Sequence, residues 1–300
     1  MSKKLISTGK ILRELLEKEK PLQLIGTINA LAAMMAERIG YKALYLSGAG
    51  VANASYGLPD LGITTLDNVS EDARRITHAV NLPLIVDIDT GFGGVALTIS
   101  RTIKTLENLG VAGIHIEDQE VFKRCGHRPN KVVVPPEEMC DRLKAALDAR
   151  QDQDFFIIAR TDAFALEGMD GVINRAKLYE AIGADAIFPE ALTSLEQYKI
   201  LSENVSIPIM ANITEFGYTP LFNLEELKDA NVGIALYPLS AFRAMYKAAE
   251  DVYKTIIQKG SQKSVINKMQ TRDELYDLLD YESYESYFDK LYGSKKEDNQ

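Results

Sequence analysis

The sequence predicts an α/β protein folded as a (β/α)8 barrel of the TIM type, and three observations carry that prediction. Eight short apolar runs rich in Ile, Val, Leu and Ala recur along the chain. Stretches of helical period separate most of them, such as "ALTISRTIKTLENLG" and "GVINRAKLYEAIGA". Helix, glycine and strand follow one another in "ERIGYKA", "ENLGVAG" and "EAIGADA", glycine being a common helix stop. Strands alternating with helices make parallel βα units, and eight units in about 250 residues match the barrel. A doubly wound open sheet is the fallback.

Taken in order, the runs are "LQLIGTI" (22–28), "ALYLSG" (43–48), "LPLIVDID" (82–89), "AGIHIED" (112–118), "FFIIART" (155–161), "DAIFPE" (185–190), "IPIMANI" (207–213) and "GIALYPL" (233–239). Several lack clean apolar–polar alternation, which suits strands buried on both faces. No composition shift marks a domain boundary, so residues 1–300 read as one barrel domain. Beyond about residue 244 the chain reads as a helical extension to about 292, followed by a polar, frayed tail.

Hydrophobic residues make up 46% of the chain and charged residues 26%, ordinary values for a globular enzyme. A net charge of −9 argues against nucleic acid as a partner, while a local arginine cluster still permits anionic small molecules. Two cysteines allow one disulfide at most. The start "MSKKLISTGK" has no apolar run behind it long enough for a signal peptide. No apolar stretch approaches the length of a membrane span, about 18 residues. The expectation is a cytoplasmic protein with reduced thiols.

Polar residues gather where the runs end: Ser47, Asp87, Asp89, Glu117, Arg160, Asp162, Glu190, Asn212 and Thr214. In barrel enzymes that end forms the active-site face. Asp87 and Asp89 are two apart and would share one face of a strand. Adjacent carboxylates repel unless a cation or proton lies between them, and hard oxygen ligands suit Mg²⁺ or Mn²⁺. Glu117 would point into the same region, and Asp60 could reach it from a loop. "GFGG" after these aspartates lacks both the P-loop lysine and the dinucleotide spacing.

"KRCGHRPNK" places Cys125 among Lys123, Arg124, His127 and Arg128. Such neighbours lower a thiol's pKa from about 8.5, fitting it for proton transfer or nucleophilic attack. The lack of a second Cys/His pair at ligand spacing argues against a structural zinc site. Cys140 sits in helical periodicity as a small core residue. His78 reads as helical and exposed, His115 as strand filler; neither is assigned a role.

"YLSGAG", "DIDTGFG", "HIEDQ", "KRCGHRPNK", "ARTDA", "FPEA", "ANITEFG" and "ALYPLSAFRAM" occur in this order and run on towards "KSVINKMQTRDELY". Together they resemble the 2-methylisocitrate lyases of the isocitrate lyase/phosphoenolpyruvate mutase superfamily. The cysteine loop marks the lyase branch. The "RPNK" after it is similar to the methylisocitrate enzymes rather than to isocitrate lyases, which are longer and carry an insertion absent from this chain. The resemblance implies a barrel whose last helix is exchanged with a neighbouring subunit, in a homotetramer. It implies Mg²⁺, with Mn²⁺ as the alternative, on Asp87 and Asp89, with Asp60 and Glu117 acting through water. It implies substrate contacts at Ser47, Gly48, Ala49, Cys125, Gly126, Arg160, Glu190, Asn212, Ile213, Thr214, Arg243 and Arg272. Ala49 departs from the family's usual "SGGG"; it keeps the backbone N–H and adds a methyl group near the ligand.

The implied reaction is cleavage of a tricarboxylate, 2-methylisocitrate, to pyruvate and succinate in propionate catabolism. Cys125 would be the general acid and Tyr45 the candidate base. The rivals are isocitrate lyase or another enzyme of the superfamily, and, in a different class, an inactive carboxylate-binding protein.

Overall fold

The computed structural model describes residues 7–124, 126 and 130–293. The described residues up to Phe242 form one compact unit and those from Arg243 onward a second. Cys125 and the tail beyond 293 lie outside the described residues.

The first unit is the (β/α)8 barrel. Its strands are β1 (Leu22–Gly26), β2 (Ala43–Leu46), β3 (Leu84–Asp87), β4 (Gly113–Glu117), β5 (Phe156–Thr161), β6 (Ala186–Pro189), β7 (Met210–Asn212) and β8 (Ile234–Tyr237). Each falls inside one of the eight apolar runs. All pair in parallel, in the order β6-β5-β4-β3-β2-β1-β8-β7. A parallel bridge between Ile187 and Ile209, with the Ile187 N–H donating to the Pro208 carbonyl at 2.9 Å, joins β6 to β7 and closes the ring. Closure removes every sheet edge, so the open-sheet alternative fails.

A helix links each strand to the next, from Ala30–Ile39 between β1 and β2 to Leu224–Asp229 between β7 and β8. Gly40 and Gly183 cap two of these helices at φ 110° and 112°, a left-handed conformation in which a Cβ would be strained. The glycine stops read from the sequence are therefore backbone requirements.

Side-chain parity along the strands builds two cores. Leu44, Leu46, Val86, Ile114, Ile116, Ile157, Ala159 and Ile187 face outward and pack with the helices. Leu22, Leu24, Ala43, Tyr45, Ile85, Phe156, Ile158, Ala186, Phe188, Met210, Ile234 and Leu236 fill the barrel interior. Burial on both faces explains the missing alternation, and each fully buried Leu or Phe contributes roughly 1.5–3 kcal/mol. Helix Thr8–Lys18 adds Leu12 and Leu16 to the interior cluster. Its Arg13 donates to the Asp154 carbonyl at 3.0 Å and to Asp185 at 2.7 Å, and lies over the Phe156 ring. With the apolar layers filling the barrel, polar inner-facing residues remain for the C-terminal strand ends.

The second unit contains the remainder of helix Ser240–Lys259, a 3-10 turn at Lys263–Lys268, and helices Arg272–Leu278 and Tyr281–Tyr292. Thr271 and Glu274 form a capping box that fixes the start of the second helix. None of these three helices contains a buried residue. Ile257, Tyr253, Tyr284 and Phe288 are among the large apolar side chains they expose. Among the described residues no helix is long and apolar enough to cross a membrane.

Candidate active site

The inner-facing parity that places Ile85, Ile158 and Phe188 inside the barrel also directs Asp87, His115, Glu117, Arg160 and Asn212 inward at the strand ends. All five are buried. Asp87 is the last residue of β3. Its carboxylate accepts the Gly48 N–H at 3.0 Å and the Asp89 N–H at 3.1 Å. Asp89 lies past the strand end at φ 50°, so the strand-alternation argument for the pair does not apply. The two aspartates converge because a turn folds Asp89 back over the strand terminus. Left-handed backbone at a non-glycine residue is costly and clusters at functional sites.

Lys123 comes from the loop after β4 and is buried. Its Nζ contacts Asp89 at 2.6 Å and donates to Asp60. Lys123, expected from the sequence as a basic neighbour of the thiol, also carries its charge into the acidic cluster. Burial opposes that charge, but Asp89, Glu117, Asp60 and Asp87 raise its pKa well above the ordinary value. Burial raises Asp89 to about 6 against the pull of Lys123. Burial also works against Asp87, yet His115, Lys123 and Arg160 hold its carboxyl below the usual range.

On the other wall, Arg160 Nε lies 2.9 Å from Asp162, 3.3 Å from Glu117 and 3.9 Å from Glu190. Its guanidinium stacks over Phe188. Asn212 donates to Glu190 at 3.3 Å. Gly126 is packed so closely here that a Cβ would come within 2.5 Å of Glu190 and 2.6 Å of Arg160. The residue next to Cys125 in sequence is thus seated at the strand ends, and glycine is required there by space. Lys131 holds it, donating to the Gly126 carbonyl at 2.6 Å and to Asp162 at 3.0 Å. The base of this loop is tied by the Gln119–Val133 bridge and by Gln119 bonding both backbone groups of Arg124 at 2.9 Å.

Tyr45 points inward from β2 with its hydroxyl 2.8 Å from His115 Nε2. Nε2 is also 3.5 Å from Asp87. Burial, then Asp87, pushes the Tyr45 phenol well above its ordinary pKa. Burial lowers His115 to about 4, leaving it neutral. His115, read from the sequence as filler, is therefore part of the constellation. Its inward parity, two residues before Glu117, was the available signal.

Of the other sequence candidates, Ser47 is buried and accepts the Gly50 N–H at 3.3 Å. Ala49 is half-buried and Thr214 buried. The Ile213 side chain belongs to the outer core, and its N–H donates to Leu236, so only its carbonyl remains for a ligand. Arg243 and Arg272 belong to the second unit. Cys125 lies outside the described residues. A cavity of about 320 Å³ opens beside Asp89 and Lys123, lined also by Thr64, Thr65, Arg101 and Thr102.

The donor set fits a hard divalent cation. Both buried Glu117 oxygens lack a hydrogen-bond donor among the described residues, and every acidic group around Lys123 offers oxygen. Among the described residues no three His, Cys, Asp or Glu side chains form a ready-made cage.

The family model for phosphoenolpyruvate phosphomutase matches residues 12–257. The chain belongs to that family. It is 57% identical over 96% of its length, and 97% of the relative's, to 2-methylisocitrate lyase of Escherichia coli (strain K12). It is 45% identical to 2-methylisocitrate lyase of Aeropyrum pernix, over 92% and 89% of the two chains. Among solved structures, 2,3-dimethylmalate lyase, a member of the PEP mutase/isocitrate lyase superfamily, superposes with a TM-score of 0.87 at 30% identity, covering 94% and 95%. Phosphonopyruvate hydrolase in complex with oxalate and Mg²⁺ gives 0.81 at 27%, covering 94% and 98%. This family member is an enzyme of the carbon–carbon lyase class.

Proposed function

We propose that the chain cleaves 2-methylisocitrate to pyruvate and succinate. The observation that carries this reading is an acidic oxygen set and an arginine wall at one barrel mouth, in a chain 57% identical to a protein of that name. Asp87 and Asp89 would hold Mg²⁺ or Mn²⁺, with Asp60 and Glu117 acting through water. When bound, the cation supplies Lewis-acid stabilisation of charge on the substrate hydroxyl and its neighbouring carboxylate. Tyr45 rests as a phenol because its pKa is raised, so it takes the hydroxyl proton as it passes its own proton to His115 Nε2, 2.8 Å away. The electron pair of the breaking C–C bond passes to the carbon that becomes part of succinate. Arg160 and the backbone N–H groups of Ala49 and Gly126 stabilise that charge, with Gly48 among the substrate contacts by family resemblance. Cys125 delivers the proton. Ser47, Glu190, Asn212, Ile213, Thr214, Arg243 and Arg272 complete the substrate contacts by family resemblance.

Substrate choice follows from Phe188, Leu236 and Pro238, all buried. Phe188 lies edge-on to His115 with ring centroids 5.3 Å apart, and under Arg160. These apolar groups would enclose the substrate methyl. One methyl in such a pocket is worth about 1–3 kcal/mol, or roughly 10–200-fold. Pyruvate release from 2-methylisocitrate, isocitrate, citrate and oxaloacetate tests the reading. A kcat/KM at least about tenfold higher for 2-methylisocitrate than for isocitrate is expected; equal or better turnover of isocitrate would refute the assignment.

The second unit supports self-association, since its helices bury nothing by themselves and expose Tyr253, Ile257, Tyr284 and Phe288. Such patches mark interaction sites. The proposed assembly is a homotetramer with the last helix exchanged between subunits. Light scattering should return the mass of four chains, and a monomer would overturn the proposal.

A further inference from the structure

We propose that Lys123 is a built-in competitor for the divalent cation, and that metal entry evicts its ammonium from Asp60 and Asp89. This inference rests on the metal reading above and concerns a residue that reading does not use. The Lys123 Nζ lies 2.6 Å from Asp89 Oδ1 and donates to Asp60 Oδ1. Those carboxylates belong to the set assigned to the cation, and the Asp89 oxygen has no other partner among the described residues. An ammonium and a divalent cation compete for these oxygens. Both are positive, so each repels the other and weakens the other's hold on the shared carboxylates. The ammonium reaches these carboxylates on a flexible side chain whose backbone is tied next door, Gln119 bonding Arg124, so metal entry swings the Lys123 side chain out of the acidic set.

The consequence is arithmetic. If only a fraction of molecules has Lys123 withdrawn, the apparent metal Kd is the intrinsic value divided by that fraction. Lys123→Met keeps the length of the side chain and removes its charge; Lys123→Arg keeps the charge. Mn²⁺ titrations without substrate, read by the electron paramagnetic resonance of the free ion, are expected to give Lys123→Met a Kd at least about tenfold lower than wild type. Lys123→Arg should not tighten binding. Circular dichroism verifies that each variant is folded. In the unmodified protein, Mg²⁺ alone should speed tryptic cleavage after Lys123, read by mass spectrometry, because the evicted side chain becomes available to the protease. This second measurement needs no variant. Equal Mn²⁺ affinity in wild type and Lys123→Met, with cleavage unchanged by Mg²⁺, would overturn the competition while leaving the metal site standing. No Mn²⁺ binding to either protein would overturn the metal reading and the competition together.

Discussion

A Cys125→Ser enzyme is expected to lose turnover by about 10²–10⁴-fold, the usual worth of a general acid, while still binding succinate and pyruvate. A serine hydroxyl nearly matches the thiol in size but is a far weaker acid, so binding survives and proton delivery does not. Gly126, which follows Cys125 in sequence, is seated against Glu190 and Arg160. The basic neighbours Lys123, Arg124, His127 and Arg128 favour the thiolate, which cannot donate. The proposal therefore requires substrate carboxylates to raise the thiol's pKa on binding, or a free-enzyme value near neutrality. Single-turnover kinetics with isothermal titration of both products separates the two effects. Near wild-type rates in the serine variant would remove Cys125 from the role of proton donor.

The second large effect is expected from Asp87→Ala, which should abolish metal-dependent activity and leave a folded barrel. The carboxylate is one of the two proposed direct ligands, and Lewis-acid stabilisation is worth several kcal/mol at the transition state, or roughly three orders of magnitude and more. The fold should tolerate the change for opposing reasons. Alanine leaves the Gly48 and Asp89 N–H groups without their acceptor, at about 1–3 kcal/mol for a buried donor. It also removes a buried charge that repels Asp89 and Glu117. The melting temperature should therefore fall by a few degrees, since 1 kcal/mol corresponds to about 2–4 °C in a domain near this size. Wild type in excess EDTA should be inactive and recover on adding Mg²⁺. Full activity in EDTA would sink the metal assignment.

The barrel was legible in the amino-acid sequence because its signals are local. Apolar runs of strand length, helical periodicity between them and a glycine at a helix end each depend on residues within one turn or one strand of each other. Gly40 and Gly183 could be read this way because a left-handed cap excludes a Cβ wherever the chain goes next. The polar strand ends were legible for the same reason, since position along a strand decides which residue reaches the barrel mouth. Which atoms meet across that mouth was decided only by the tertiary structure. Asp89 reaches Asp87 through a turn at φ 50° rather than by strand pleat. His115 meets Tyr45 across 70 positions of sequence. Lys123 meets Asp60, 63 residues away, and Asp89. The physical reason is one of range. Backbone geometry follows from near neighbours, whereas the partner of a buried charge is whichever opposite charge barrel closure brings within a few ångströms, and a low-dielectric interior makes that pairing outweigh any sequence neighbour exposed to water.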